Sequence, residues 1–453
     1  MAKGIGAGSK VMSDVKDLLK VMKQAVEESK HLDEIKKLSA ASHLKATGHS
    51  VQSPERLNNV SLNRDYASTH QIENEEKVPL GGDGGIGPDG NRSHTSGDTA
   101  TDGDPVSMMS GEELLTLADG TLPGWLPFTW KRCYRSSAAN SAHDLGFGWR
   151  HSLSHSLTFE DEKVIWHDDE HRTTTFPLPH PDAPLVVNVA GAANLSIARL
   201  NGNIIANGYT LTFANGQGQY QFYREGDHAK LIGISDAYGN TLTLFYDKQN
   251  RLISLSDTTQ ARLSFEYSPS TAAQITAVHL QQKDRLQQVW NTFRTLMRYE
   301  YNSTGELIAA TNALGEREHY CYRDDHVITQ RRLAGGAEFN WEWAQVDDHL
   351  RCIRQFGNFG QLDNRYRWSP EQQQVIVTRM DGSQQVYQHN DGARLIYSKS
   401  AAGIVQRWQY NDAGLCVGYT DGLGQVTRYF YNDNGQLVTK AEPGQVMTQY
   451  RWL

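Results

Sequence analysis

A short unit recurs through the latter half of this 453-residue chain and leaves that half little freedom in how it folds. An aromatic residue is followed by a polar turn and then by an aliphatic residue. The unit stands at Tyr246-Asp247-Lys248-Gln249-Asn250-Arg251-Leu252, at Tyr301-Asn302-Ser303-Thr304-Gly305-Glu306-Leu307, at Tyr410-Asn411-Asp412-Ala413-Gly414-Leu415 and at Tyr431-Asn432-Asp433-Asn434-Gly435-Gln436-Leu437. Tyr246 to Tyr267, Tyr301 to Tyr322 and Tyr410 to Tyr431 are each 21 residues apart. Asn or Asp at the turn's start can bond its own backbone, and Gly accepts positive φ. Apolar residues alternate on either side, as at Leu242, Leu244 and Tyr246, so they share one face of a strand. A single hairpin cannot bury that face, but stacked neighbours can. The repeat predicts a curved, wound antiparallel sheet over about residues 151–453 that does not close on itself. Its open edge predicts self-association, or completion by further shell.

Composition agrees: 20 Tyr, 10 Trp and 40 Gly favour strands and tight turns over helix bundles. A net charge of −8 argues against a nucleic-acid partner. Cys133, Cys321, Cys352 and Cys416 are far apart and fit buried free thiols in a reducing compartment better than disulfides or a zinc site. No apolar run reaches the roughly 18 residues of a membrane span, and the N-terminus lacks a secretory-signal pattern. These features predict synthesis in the cytoplasm and, if the protein is exported, a route that reads no cleavable signal.

The first hundred residues are of another kind. In residues 13–46, Val15, Leu18, Met22, Ala25, Leu32 and Ile35 follow three-and-four spacing and predict an amphipathic helix. Its charges are mixed in sign, which disfavours an anionic membrane surface. Residues 47–103 hold one aromatic, Tyr66, and few aliphatics, so a flexible Gly-rich linker is expected. Its single calcium-turn-like run, Gly81 to Gly90, lacks the stacked copies such turns need.

Between linker and strands lies Asp104-Pro105-Val106-Ser107-Met108-Met109-Ser110-Gly111-Glu112, followed by a Trp-rich block to Arg150. The pattern Pro-Val-x-x-x-x-Gly-Glu resembles the self-cleavage motif of Rhs proteins, polymorphic toxins exported by type VI secretion. The Tyr-led units resemble the YD repeats of the same family, from about Tyr223 to Leu453, and the Trp-rich block resembles the plug region that opens the Rhs core. The resemblance implies that the repeats build part of a hollow β-cocoon enclosing a C-terminal toxin. It also implies that Glu112 is required for cleavage near the motif. The chain stops in repeat register, Tyr431 plus 21 being Trp452, which reads as the N-terminal portion of a longer protein.

The division expected is therefore a docking helix (1–46) for a secretion spike protein or chaperone, a linker (47–103), a junction and plug (104–150), and an incomplete YD-repeat shell (151–453). At the junction we expect cutting at Asp104–Pro105. The Asp104 carboxylate would attack its own carbonyl, Pro105 nitrogen would leave once protonated, Gly111 would let the backbone bend, and a buried Glu112 would be the acid. Glu113 is given no part in the cut: Glu112→Gln should leave one intact chain, whereas Glu113→Gln should still cut. No cofactor or metal is expected: His167-Asp168-Asp169-Glu170-His171 reads as a polar hairpin tip rather than a metal site, and His151 and His155 as structural. Nothing suggests a stand-alone enzyme. The alternative function is a YD-repeat surface adhesin whose exposed aromatics stack on glycans.

Overall fold

The computed structural model describes residues 85–452, apart from residues 191–192, 201, 214–217, 258–259, 270–272, 285, 288 and 361. The helix expected over residues 13–46 and most of the linker lie outside the described residues. Residues 85–198 and 204–452 fall in one compact unit. Its regular structure is nearly all antiparallel strand, with no α-helix among the described residues. Among the described residues, twenty-seven strands, from Ser156–Glu160 to Val446–Gln449, form a single sheet in which successive strands are neighbours.

One pairing departs from chain order. The strand His228–Ser235 shares one edge between two partners: Ala229 lies opposite Leu157 of Ser156–Glu160, and Ile234 opposite Leu242 of Thr241–Tyr246. The sheet thus returns to its own beginning, which corrects the expectation that it does not close on itself. The buried side chains of Leu157, Ala229 and Leu231 give the returning strand an apolar face to pack on. At the far end, Val446–Gln449 pairs with Leu437–Glu442 and leaves Val446 and Met447 exposed.

The repeat has a specific physical content. A β-bulge falls just before the unit's aromatic residue, between Glu266 and Tyr267, Cys321 and Tyr322, Gln409 and Tyr410, and Phe430 and Tyr431. The ring's far end then donates to the backbone carbonyl of the preceding unit's first post-turn residue. Tyr267 reaches Leu252 (3.0 Å), Tyr322 reaches Leu307 (2.6 Å), Tyr410 reaches Leu395 (2.9 Å) and Tyr431 reaches Cys416 (2.8 Å). Trp343, Trp368 and Trp452 do the same through the indole N–H, to Ile328, Cys352 and Leu437. The position therefore selects a flat ring with a donor at its tip, which Tyr and Trp have and Phe lacks. Each turn is closed as expected: Asn302 Oδ1 accepts the N–H groups of Thr304 and Glu306, while Gly305 sits at φ +90°.

Tyr322 also accepts from the indole of fully buried Trp149 (3.1 Å). Tyr322→Phe is expected to cost about 2–3 kcal/mol because two groups lose their partner together. Tyr410→Phe, which loses one bond at a more open site, should cost about 1 kcal/mol. Urea denaturation midpoints of the two variants check the difference.

The Trp-rich block forms a separate three-stranded sheet of Leu114–Leu122, Phe128–Arg135 and Trp149–His151. It is tied to the repeat sheet by a buried polar network. Trp130 Nε1 donates to Tyr299 Oη (2.8 Å), Tyr299 donates to Asp119, and Arg132 holds Asp119 (2.8 Å), Tyr320 and Glu318 (3.3 Å).

Two further expectations are corrected. Residues 85–103 are packed and not a free linker: Ile86 bridges Thr173, and Ser93, His94 and Asp102 are buried. Cys133, Cys352 and Cys416 are buried free thiols, but Cys321 is exposed, because alternation along Arg317–Tyr322 turns it away from buried Tyr320.

Candidate functional site

Thr101–Asp102 and Val106–Ser107 pair as a small hairpin whose turn is Gly103-Asp104-Pro105. The chain then loops back. Ser107 N–H donates to the Glu112 carbonyl (2.8 Å) and Gly111 N–H to the Ser107 carbonyl (2.9 Å), while Ser107 Oγ accepts the N–H groups of Met109 and Ser110. Val106 bridges Glu113, and Leu114 N–H donates to the Pro105 carbonyl (3.0 Å). The spacing from Pro105 to Glu112 is thus the length of a closed loop that brings the following residue back beside the start of the motif. Gly111 has φ +74°, and a Cβ there would lie 2.7 Å from Arg351 Cβ, so both conformation and space require glycine. Met108 is a buried anchor, as expected, and Met109 only a partial one.

The hairpin docks on a polar row of the repeat sheet. Asp102 accepts from Asn364 (2.7 Å) and Arg379 (2.6 Å). Burial pushes its carboxyl up, and Arg379 opposes this. Gln355, fully buried, holds the Asp104 peptide at both ends: its Oε1 accepts the Asp104 N–H (2.9 Å), and its Nε2 donates to the Asp104 carbonyl (2.8 Å). That carbonyl belongs to the Asp104–Pro105 bond. Gly103 makes the approach possible, since a Cβ there would sit 1.8 Å from Gln355 Oε1. The Asp104 carboxylate is ion-paired with Arg331 (3.1 Å), which also holds Glu318 (3.2 Å).

The two neighbouring glutamates have different surroundings. Glu112 accepts from Arg135 (2.9 Å), Ser110 (3.0 Å) and Ser137. Arg135 in turn holds Glu170 (3.0 Å), the Ser93 hydroxyl and the His94 carbonyl. Glu113 was expected to take no part in the cut. It is completely buried ahead of a strand, and neither carboxyl oxygen has a hydrogen-bond partner. Burial pushes the Glu113 carboxyl well above the ordinary carboxylate range, the Asp104 charge pushes it further, and Arg331 opposes. The structure therefore brings Asp104, Pro105 and Glu113 to one locus, and gives Glu112 a separate set of partners around Arg135.

The His167–His171 turn is not a free tip. Asp168 is paired with Arg172 (2.7 Å), Glu170 takes the Ser96 N–H, His167 bonds Thr158 and His171 bonds the Gly148 carbonyl. His151 pairs with Asp144 (2.8 Å) and stacks on Trp130. Burial holds His155, stacked against Trp166 and tilted against Tyr220, down at about 3.

Residues 398–451, which contain the Tyr410 and Tyr431 hairpins, match the family described as RHS Repeat. This chain is an Rhs/YD-repeat protein. Residues 103–176, from the Asp104 turn through the Trp-rich sheet, match a domain of unknown function, DUF6531. Over 356 residues the Rhs-repeat chain is 23% identical to the probable deoxyribonuclease RhsB of Dickeya dadantii (strain 3937), covering 63% of this chain and 23% of that protein. Among solved structures it is similar to the Photorhabdus luminescens Tc holotoxin pore with the mutation TccC3-D651A (10% identity, TM-score 0.35, 75% of this chain and 26% of that one). It is also similar to TcdB2-TccC3 without its hypervariable C-terminal region (8%, TM-score 0.33, 73% and 22%). The Rhs-repeat chain spans about a quarter of the length of these relatives.

Sequence reasoning about this Rhs-repeat chain missed Gln355 and Arg331, which lie more than 220 residues from Asp104 and carry no local signature.

Proposed function

We propose that the chain is the N-terminal part of an Rhs-type secreted toxin effector. Its repeats begin a shell that encloses a C-terminal toxin, and its junction cuts itself at Asp104–Pro105, with Glu112 required to hold the loop. Residues 13–46 dock on the secretion spike protein or a chaperone. The protein is made in the cytoplasm and leaves by type VI secretion without a signal peptide. One observation carries the self-cleavage reading: the carbonyl of the Asp104–Pro105 bond, beside its own carboxylate, is gripped by the donor Nε2 of buried Gln355. A donor aimed at a carbonyl stabilises the oxyanion formed on attack. Intact-mass measurement of the purified, denatured chain is expected to give two pieces, one ending at Asp104 and one starting at Pro105. A single uncut mass after long incubation would contradict it.

A further inference from the structure

The junction loop fixes which carboxyl can serve the leaving nitrogen. Glu112 and Glu113 are consecutive, yet their carboxyls meet different surroundings. Glu112 takes donors from a guanidinium and two hydroxyls, so its oxygens are occupied as acceptors. Glu113 pairs through its backbone with Val106, next to Pro105, and its buried carboxyl oxygens have no partner. The Trp341 indole N–H is turned towards it without completing a hydrogen bond. An unpaired carboxylate in such a site is costly, whereas the neutral acid is tolerated. A buried carboxyl held in its neutral form by such surroundings has a proton to give and can act as a general acid.

Resting on the self-cleavage reading above, we infer that Glu113, not Glu112, gives the proton to the Pro105 nitrogen as the Asp104–Pro105 bond breaks. An Asp104 carboxylate oxygen forms a bond to the Asp104 carbonyl carbon, while Gln355 Nε2 holds the developing oxyanion. The carbon–nitrogen bond then breaks and the Glu113 proton passes to Pro105 nitrogen. This leaves a cyclic anhydride at Asp104, a free prolyl amine and a Glu113 carboxylate. Water opens the anhydride and a proton returns to Glu113, so the sum is one peptide bond and one water consumed. Arg331 faces both Asp104 and Glu113 and steadies the negative charge as it moves from one to the other. Glu112, through Arg135, is a positioning residue for the loop.

The other titratable groups around Glu113 do not compete for the role. Burial pushes Tyr134, Cys352 and Tyr366 up, and none of them has an acidic proton suited to an amine leaving group near neutral pH.

The test compares cutting rates of the whole chain, refolded from an uncut denatured state, in wild type, Glu113→Gln and Glu113→Asp. Gln keeps the shape and loses the acid; Asp keeps the acid and shortens the reach. A proton donor gives the order wild type, then Asp, then Gln, with Gln slowed by about 100-fold or more. A packing role gives the opposite order, with Gln near wild type and Asp impaired. That order, or wild-type cutting in Glu113→Gln, overturns the assignment while leaving self-cleavage intact. A wild-type chain that never cuts overturns the self-cleavage reading itself. Matching thermal melts of the three proteins separate chemistry from misfolding.

Discussion

Arg132→Met is expected to cost the fold about 3–5 kcal/mol, the usual penalty for removing one partner of a buried charge network. Arg132 is almost fully buried and holds Asp119, Tyr320 and Glu318, joining the Trp-rich sheet to the repeat strands. Its removal leaves Asp119 buried without its cation. Burial already pushes that carboxyl up against the pull of Arg132. Adding Asp119→Leu to Arg132→Met should recover a good part of the loss, because an apolar pair of similar volume strands no charge. Denaturation midpoints check both. A loss below about 1 kcal/mol in the single variant would show that the network does not hold the two sheets together.

The second large effect is acid sensitivity. Burial alone would raise Glu318, but Arg331 and Arg132 on either side hold it down at about 2. A carboxyl whose folded value is depressed contributes stability above its ordinary unfolded value near 4.5, and loses it as pH falls through about 2. A displacement of that size corresponds to roughly 3 kcal/mol. Stability should therefore fall between about pH 4.5 and 2, and Glu318→Gln should flatten that fall. Glu113 works in the opposite sense. Its folded value is raised, so its contribution is whole below about 4.5 and declines as pH rises towards that raised value. Melting temperatures across the pH range, compared among wild type, Glu318→Gln and Glu113→Gln, resolve the two slopes. Identical acid limbs in wild type and Glu318→Gln would contradict the pairing.

The sheet was readable because its information is local. Each Tyr, turn and aliphatic residue specifies one hairpin, and hairpins stack on their chain neighbours. Even Trp452 was legible as a repeat aromatic, and it donates to Leu437 as Tyr431 does to Cys416. The site was half readable. Asp104, Pro105 and Gly111 are marked by residue type, but the assignment between Glu112 and Glu113 depends on strand phase. A shift of one residue moves a side chain to the other face, and no composition signal fixes it. Gln355 and Arg331 reach Asp104 only because the sheet carries distant strands under the hairpin. For the same reason Ser93 and His94, polar residues in a Gly-rich segment, read as linker although Arg135 binds both. The return of Ser156–Glu160 onto His228–Ser235 is likewise a long-range pairing that hairpin logic does not supply.

Folding is expected to turn an inert Asp104–Pro105 bond into one the chain cuts by itself. The direct measurement starts from chain kept whole in urea, dilutes it into native buffer and follows the pieces by denaturing mass spectrometry. The expected result is first-order appearance of fragments meeting at Asp104 and Pro105, with one rate constant at every protein concentration. A refolded chain that stays whole, or a rate that climbs with concentration as cutting between molecules would require, contradicts the account.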